Sequence, residues 1–307
     1  MSFAVNDRPG VSSGTRERIL AAARELGWRP SASARALTEA RTRAIGLVLE
    51  RDAAQLGLDA FFVRFLSGIE RALTAVDYAL LLQLVPTGGA GALPAYERLA
   101  AAGRVDGFLL TDVEAEDPRF APLVAAGVPV VLAGEPDDDC PFPWVETRHA
   151  EGIAPAVEHL AGLGHERIGF LGGRPELEHV RVREAGWREA LDAAGLPGGP
   201  LARTGIELLR ARPTAIVCAS DVLALEVITA ARGLGLDVPG DVSVTGFDDS
   251  PLAALASPAL TSVRVDYAEF GEAVTRALLA EIGGAPPPEY APSPPELVVR
   301  ASTARAR

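Results

Sequence analysis

The chain has 307 residues, 48% of them hydrophobic, and a net charge of −12, enough material for two domains of ordinary size with full cores. No run of 18 apolar residues occurs, and Arg8 and Arg16 are not followed by an apolar stretch or a small-residue cleavage site. Those features exclude a membrane span and a secretory leader and predict a cytoplasmic protein.

Charge is unevenly spread. Residues 1–43 hold eight arginines against four acidic residues, a net +4, so residues 44–307 carry −16. A basic head on an acidic body is the layout of a chain that sets one end on a polyanion, with nucleic acid the leading candidate. Within that head, Ser12 or Ser13 is expected to cap a helix over Thr15–Leu26 whose apolar stripe is Ile19, Leu20, Ala23 and Leu26, with Gly27 as the left-handed stop. Trp28-Arg29-Pro30 then breaks the chain. Ser31–Leu37 is a second, shorter helix, marginal alone because nucleation is costly below roughly 12–15 residues, and Thr38–Arg43 is a polar connector.

From Ala44 onward, short apolar runs alternate with helical segments. Strands are predicted over Ala44–Leu49, Tyr78–Leu84, Val105–Leu110, Val128–Leu132, Arg167–Leu171, Ala215–Ala219 and Val242–Gly246, apolar as buried parallel strands must be. Helices fall over Phe61–Ala75, Ala92–Ala102, Glu151–Leu163, Val182–Ala194 and Val222–Leu234, with Tyr267–Ile282 a later helix and Glu296–Arg300 a last strand. The run is too long for one sheet, so the fold class is α/β, two doubly wound parallel-sheet lobes divided near Glu146 and preceded by a partial helical head.

Cys140 and Cys218 lie far apart with no companion at ligand spacing, and His149, His159, His165 and His179 show no zinc pattern, so free thiols and no metal or other cofactor are expected. Gly162-Leu163-Gly164 precedes a strand where a dinucleotide loop would follow one. No nucleophile elbow or acid–base set is present, so no enzymatic activity is expected.

Several motifs carry a more specific resemblance. Val5-Asn6-Asp7-Arg8-Pro9-Gly10-Val11-Ser12, Thr15-Arg16-Glu17-Arg18-Ile19, Leu26-Gly27-Trp28-Arg29-Pro30-Ser31, Ala34-Arg35-Ala36-Leu37 and Gly246-Phe247-Asp248-Asp249 occur in order over about 300 residues. In this order they resemble the LacI/GalR family of bacterial transcriptional regulators. The resemblance implies a helix-turn-helix head over 1–30, a hinge helix and linker over 31–43, an N-terminal lobe of 44–145 plus 263–285, and a C-terminal lobe of 146–262 plus 286–307. Met1–Asn6 resembles the end of the family's recognition helix, so its base-reading start is expected to be missing.

The resemblance also assigns residues. Asn6, Ser12 and Thr15 would touch phosphates, and Leu37, with Ser31, Ala34 and Arg35 beside it, would wedge between base steps; the plainer role of Leu37 is a linker leucine packed on the core. Open α/β sheets place ligands at the carboxyl ends of their strands. There Asp59-Ala60-Phe61-Phe62 resembles the family's Asn-Pro-Phe-Phe, with Phe61 and Phe62 lining an effector cleft or, alternatively, packing a helix start. Arg183 would fork onto effector oxygens or stand as a solvated surface arginine. Asp221 would contact effector or cap a helix, and Asp248 would bind effector directly.

Two departures bear on the effector. Arg148-His149 stand where the family has Asp-Asn, and residues 197–213 lack most of an edge strand. The function expected is an effector-responsive, DNA-binding repressor acting as a homodimer on duplex operator DNA, sensing a carbohydrate. The rival is a stand-alone sugar-binding protein without specific DNA binding.

Overall fold

The computed structural model describes residues 11–26, 41–52, 60–87, 91–136 and 139–307. Asn6, Ser31, Ala34, Arg35, Leu37 and Asp59 lie outside them. Helix α1 spans Ser13–Glu25, and of the two candidate caps Ser12 serves: its Oγ accepts from the Thr15 amide at 3.4 Å.

Two sheets follow. The first is built from β1 (Ala44–Glu50), β2 (Ala79–Val85), β3 (Gly107–Leu110), β4 (Val130–Ala133) and β5 (Trp144–Val145), in the order β2-β1-β3-β4-β5. Its helices are α2 (Ala60–Thr74), α3 (Leu93–Ala101) and α4 (Phe120–Ala126). The second uses β6 (Ile168–Leu171), β7 (Leu201–Ala202), β8 (Ala215–Cys218), β9 (Ser243–Phe247), β10 (Thr261–Arg264) and β11 (Glu296–Val298), ordered β11-β10-β9-β8-β6-β7. With it go α5 (His149–Gly162), α6 (Glu178–Ala193), α7 (Gly205–Arg210), α8 (Asp221–Gly233) and α9 (Pro251–Leu255). All pairings are parallel except β10 with β11. Counted from its own first strand, each sheet has the 2-1-3-4-5 order of a doubly wound fold, with β11 added at the edge of the second.

Burial explains the elements. In β3, β6, β8 and β9 every residue is buried, as strands covered on both faces must be. Along α2, Phe62, Phe65, Ile69 and Leu73 have no exposed surface, a stripe at helical spacing facing the sheet. Helix α10 (Tyr267–Gly283) is capped by Asp266, whose carboxylate accepts from the Ala268 and Glu269 amides, and stops at left-handed Gly284. It packs along α2 and against β3, β4 and β5. The two helices meet backbone to backbone: a Cβ on Gly68 would sit 2.0 Å from the Ala268 carbonyl oxygen, so only glycine fits there.

The chain thus passes from the first sheet to the second after Val145, returns after Arg264 to lay α10 on the first sheet, and crosses again to place β11 beside β10.

Some elements differ from the sequence reading. Helix α6 begins at Glu178, four residues ahead of Val182, because the Glu178 amide is held by the Val113 carbonyl across from the first sheet at 2.9 Å. In 197–213 an edge strand survives as two-residue β7, followed by α7, capped by Thr204. Strand β10 escaped the reading because its Thr261 and Ser262 are polar, yet both are fully buried: the Ser302 hydroxyl accepts from the Thr261 amide, and the Ser262 hydroxyl donates to Asp221.

Candidate functional site

The carboxyl ends of both sheets converge on one cleft of about 660 Å³, within the size range of small-molecule sites. Glu50 ends β1 and Arg51 follows it, Thr111 and Asp112 follow β3, Gly172 and Gly173 follow β6, Asp221 follows β8, and Asp248 follows β9. Each lies where a doubly wound sheet offers loop backbone and helix starts to a ligand.

Arg183, on α6, is 6% exposed, so it is not a solvated surface residue. Its Nη1 donates to the Ala219 carbonyl at 2.5 Å, and Nη2 to Tyr267 Oη at 3.3 Å and His149 Nδ1 at 3.0 Å. The guanidinium lies over the Phe247 ring, 3.9 Å from its centroid, a cation–π contact strengthened by burial. Tyr267 Oη in turn donates to Asp248 Oδ1 at 2.7 Å, and Arg183 Nη2 lies 4.0 Å from the same oxygen. Arg183 and Asp248, assigned from separate motifs, therefore belong to one charge-neutral network at the cleft wall.

Asp248 has φ +107°, a region that non-glycine residues enter only at a cost. The adjacent carboxylate is doing something else: Asp249 accepts from Arg264 Nε at 2.7 Å and Arg300 Nη2 at 2.5 Å. Burial alone would raise its pKa, but the two guanidiniums outweigh burial and lower it. The paired carboxylates are thus divided between cleft and framework, which removes the acid–base geometry a pair could offer.

Asp221 does not cap α8. Ser220 is the cap, its side chain accepting from Leu223 N, because residue 220 has the extended backbone a cap requires. Asp221, 1% exposed, accepts from the Ser250 amide at 2.6 Å and the Ser262 hydroxyl at 2.5 Å. Burial raises its pKa against those hydrogen bonds. It borders the cleft, but both oxygens are committed to holding the β9–α9 turn and β10.

The two phenylalanines separate. Phe61 lines the cleft, stacked on Phe65 at 5.2 Å and edge-on to Tyr267 at 4.8 Å. Phe62 is 0% exposed and lies in the core beneath the Arg51 guanidinium, 4.5 Å from its ring centroid. Its place is under the cleft, since successive helical residues point about 100° apart.

His149 and His179 were not singled out as site residues, yet both line the cleft, their ring centroids 6.3 Å apart. Burial, and then the Arg183 charge, pushes His149 well below its ordinary pKa and His179 down to about 4. Arginine can only donate, so His149 Nδ1 accepts and the imidazole proton is assigned to Nε2. The same pair also borders a smaller cavity of about 200 Å³ lined by Glu135, Glu146 and Thr147. The signal for His149 was the Arg148-His149 departure itself; His179 gave none. In the head, Ser12 and Thr15 are exposed, and the Ser12 hydroxyl donates to Thr15 Oγ1 at 2.9 Å.

Residues 157–303 match the periplasmic binding protein-like domain family. Over its whole length the chain is 37% identical to the HTH-type transcriptional regulator MalR of Streptomyces coelicolor, covering 93% of that protein. The chain belongs to the LacI family of transcriptional regulators. Among solved LacI-family structures, the lac repressor dimer bound to operator and the anti-inducer ONPF superposes with a TM-score of 0.82 at 26% identity, over 99% of this chain and 94% of that one. A complex of the transcriptional regulator CelR with cellobiose superposes with a TM-score of 0.75 at 28% identity, over 98% and 94%. These relatives are regulators of transcription, not enzymes. Among the described residues, no helix is long and apolar enough to cross a membrane.

Proposed function

We propose that this protein is an effector-responsive repressor that acts as a homodimer on duplex operator DNA, with a carbohydrate as effector in the cleft between the two sheets. The 44–145 plus 263–285 and 146–262 plus 286–307 segments act as the two lobes. The observation that carries the effector reading is the Arg183–Tyr267–Asp248 network at the carboxyl ends of both sheets. It sets donors and an acceptor on one wall, with the Phe61 ring nearby. Thr111 Oγ1 and Arg183 Nε, both buried at this cleft, have no hydrogen-bond partner among the described residues. A polyol supplies hydroxyls that both donate and accept, which such a wall requires.

Cleft closure by the effector would move the lobes relative to one another and so shift the DNA-binding end; a coupling of about 1–3 kcal/mol changes operator occupancy severalfold or more. Support for a sugar comes from the cellobiose complex of CelR, and support for DNA from the operator-bound lac repressor dimer. The test is calorimetry over maltose, cellobiose and monosaccharides, followed by DNA binding with and without each ligand that binds. A bound sugar that leaves DNA affinity unchanged leaves the stand-alone binding protein as the better account. Binding of none of the panel removes the carbohydrate.

A further inference from the structure

Where the N-terminal segment joins the first sheet, Asp106 makes three hydrogen bonds, beside an Arg43–Asp77 ion pair at 3.4 Å. Asp106, just before β3, accepts from the Thr42 amide at 2.6 Å, the Thr42 hydroxyl at 2.8 Å and the Arg43 amide at 2.9 Å. Three hydrogen bonds to one carboxylate form a strong local restraint, because bonds to an ionised acceptor are about twice as strong as neutral ones. Neighbouring backbone closes on Arg43 and the next residue, Ala44. The Ala79 amide, at the start of β2, donates to the Arg43 carbonyl at 2.8 Å, and the Asp106 amide donates to the Ala44 carbonyl at 2.7 Å. Arg43 has φ +54°, a turn that this grip imposes on a residue that does not favour it.

Arg41 ties the knot to α10: its Nη2 donates to the Ile282 carbonyl at 3.0 Å, at the helix end where the dipole favours a cation. The other end of α10 is Tyr267, whose hydroxyl bridges Arg183 and Asp248 in the cleft. A 17-residue helix is a rod about 25 Å long. It is fixed along its length by the close α2 crossing at Gly68, and by Gly271, whose Cβ would lie 2.2 Å from the Phe65 carbonyl oxygen. One rigid element therefore touches the cleft network with its first residue and the linker with its last turn.

We propose that Asp106 is a positioning residue for regulation, clamping Thr42–Arg43 on the first sheet so that α10 couples the cleft network at Tyr267 to the segment leading to the DNA-binding head. The proposal rests on the reading of this chain as an effector-controlled DNA-binding protein, but its central test needs neither effector nor DNA. Arg41 and Arg43 are trypsin sites within the clamp, so cleavage there, quantified by mass spectrometry on the full chain, reports clamp opening. Asp106→Ala should speed cleavage after Arg41 and Arg43 by about tenfold or more, since hydrogen bonds to a charged partner are lost. Thr42→Val leaves β3 untouched and should speed it severalfold, which keeps the test valid if Asp106→Ala folds poorly.

Coupling is read by a double-mutant cycle. Tyr267→Phe should speed the same cleavage about threefold when Asp106 is present and have no further effect in the Asp106→Ala background. Cleavage within twofold of wild type in both clamp variants would overturn the clamp, and additive effects of Tyr267→Phe and Asp106→Ala would overturn the coupling. Separately, DNA fragments selected from a random duplex pool by the wild-type chain are assayed with maltose and cellobiose. Failure of both sugars to alter wild-type DNA binding counts against the functional reading and leaves the proteolysis result intact. Sugar-dependent release that is lost in Asp106→Ala, with sugar affinity unchanged, supports both.

Discussion

Tyr267 and Asp248 share a 2.7 Å hydrogen bond that joins the first residue of α10 to the end of β9. Because Tyr267 also accepts from Arg183, the tyrosine hydroxyl sets the spacing of the arginine and carboxylate that face the cleft. Asp248→Ala should weaken sugar binding by about 1.5–3 kcal/mol, as for a lost charged hydrogen bond. Tyr267→Phe, which leaves both charges in place, should cost about 0.5–1.5 kcal/mol. Calorimetry with a sugar that binds the wild type gives both values; equal losses would mean that Tyr267 contacts the ligand directly instead of setting the pair.

Asp248 should also show the cost of its backbone conformation. Its φ of +107° is strained for aspartate and open to glycine. Asp248→Gly and Asp248→Ala both strand the Tyr267 hydroxyl beside the buried Arg183, so both should lose sugar binding and some stability, with the glycine variant losing about 1 kcal/mol less because it relieves the strain. Urea unfolding of the two variants without ligand measures the difference, and equal losses in both would show that the backbone at position 248 stores no strain.

Asp221 should behave differently. Replacing it by alanine strands the Ser250 amide and the Ser262 hydroxyl, which now meet its carboxylate in the interior. A loss of about 1–3 kcal/mol in unfolding free energy is expected, with sugar affinity falling less than in Asp248→Ala. If binding falls as far as in Asp248→Ala while stability is unchanged, Asp221 is a ligand group and the framework role is wrong.

The cleft histidines predict a pH dependence of definite sign. His179 is lowered to about 4 by burial and by Arg183, with Arg51 and Arg174 adding to the effect and Asp112 opposing it; His149 is lowered by burial, Arg183 and His179. Above about pH 7.5 both the folded and unfolded chains hold essentially neutral imidazoles. As pH falls from there toward 4, the unfolded chain takes up protons that the folded chain refuses, so this contribution to stability declines. For His179 alone the decline is as much as about 3 kcal/mol. Asp221, whose pKa is raised, acts with the opposite sign, so the informative comparison is between wild type and His179→Asn. The variant should lose less stability between pH 7 and pH 5 in urea titrations, and parallel pH profiles would refute a titrating role for His179.

The local features were legible because their causes are local. Strand and helix positions follow from apolar spacing, the Ser12 cap from a hydroxyl three residues ahead of a helical amide, and the site loops from the rule that parallel sheets open at their carboxyl ends. Arg183 and Asp248 were named from their motifs. Nothing local in Gly246-Phe247-Asp248-Asp249 says which carboxylate faces the cleft; Arg300, 51 residues away, and Arg264 take the second one.

The sequence by itself determined the alternation of elements, the two-sheet class, the basic head and the motif residues near the cleft, since each follows from periodicity, composition or short-range order. Tertiary structure alone decided the strand order, the burial of polar Thr261 and Ser262, the place of Asp221 as an interior acceptor where effector contact or a helix cap was expected, the meeting of His149 with His179, and the grip of Asp106 on Thr42 and Arg43. Those outcomes depend on which distant groups arrive beside one another, and a buried polar atom takes its role from the partner that satisfies it.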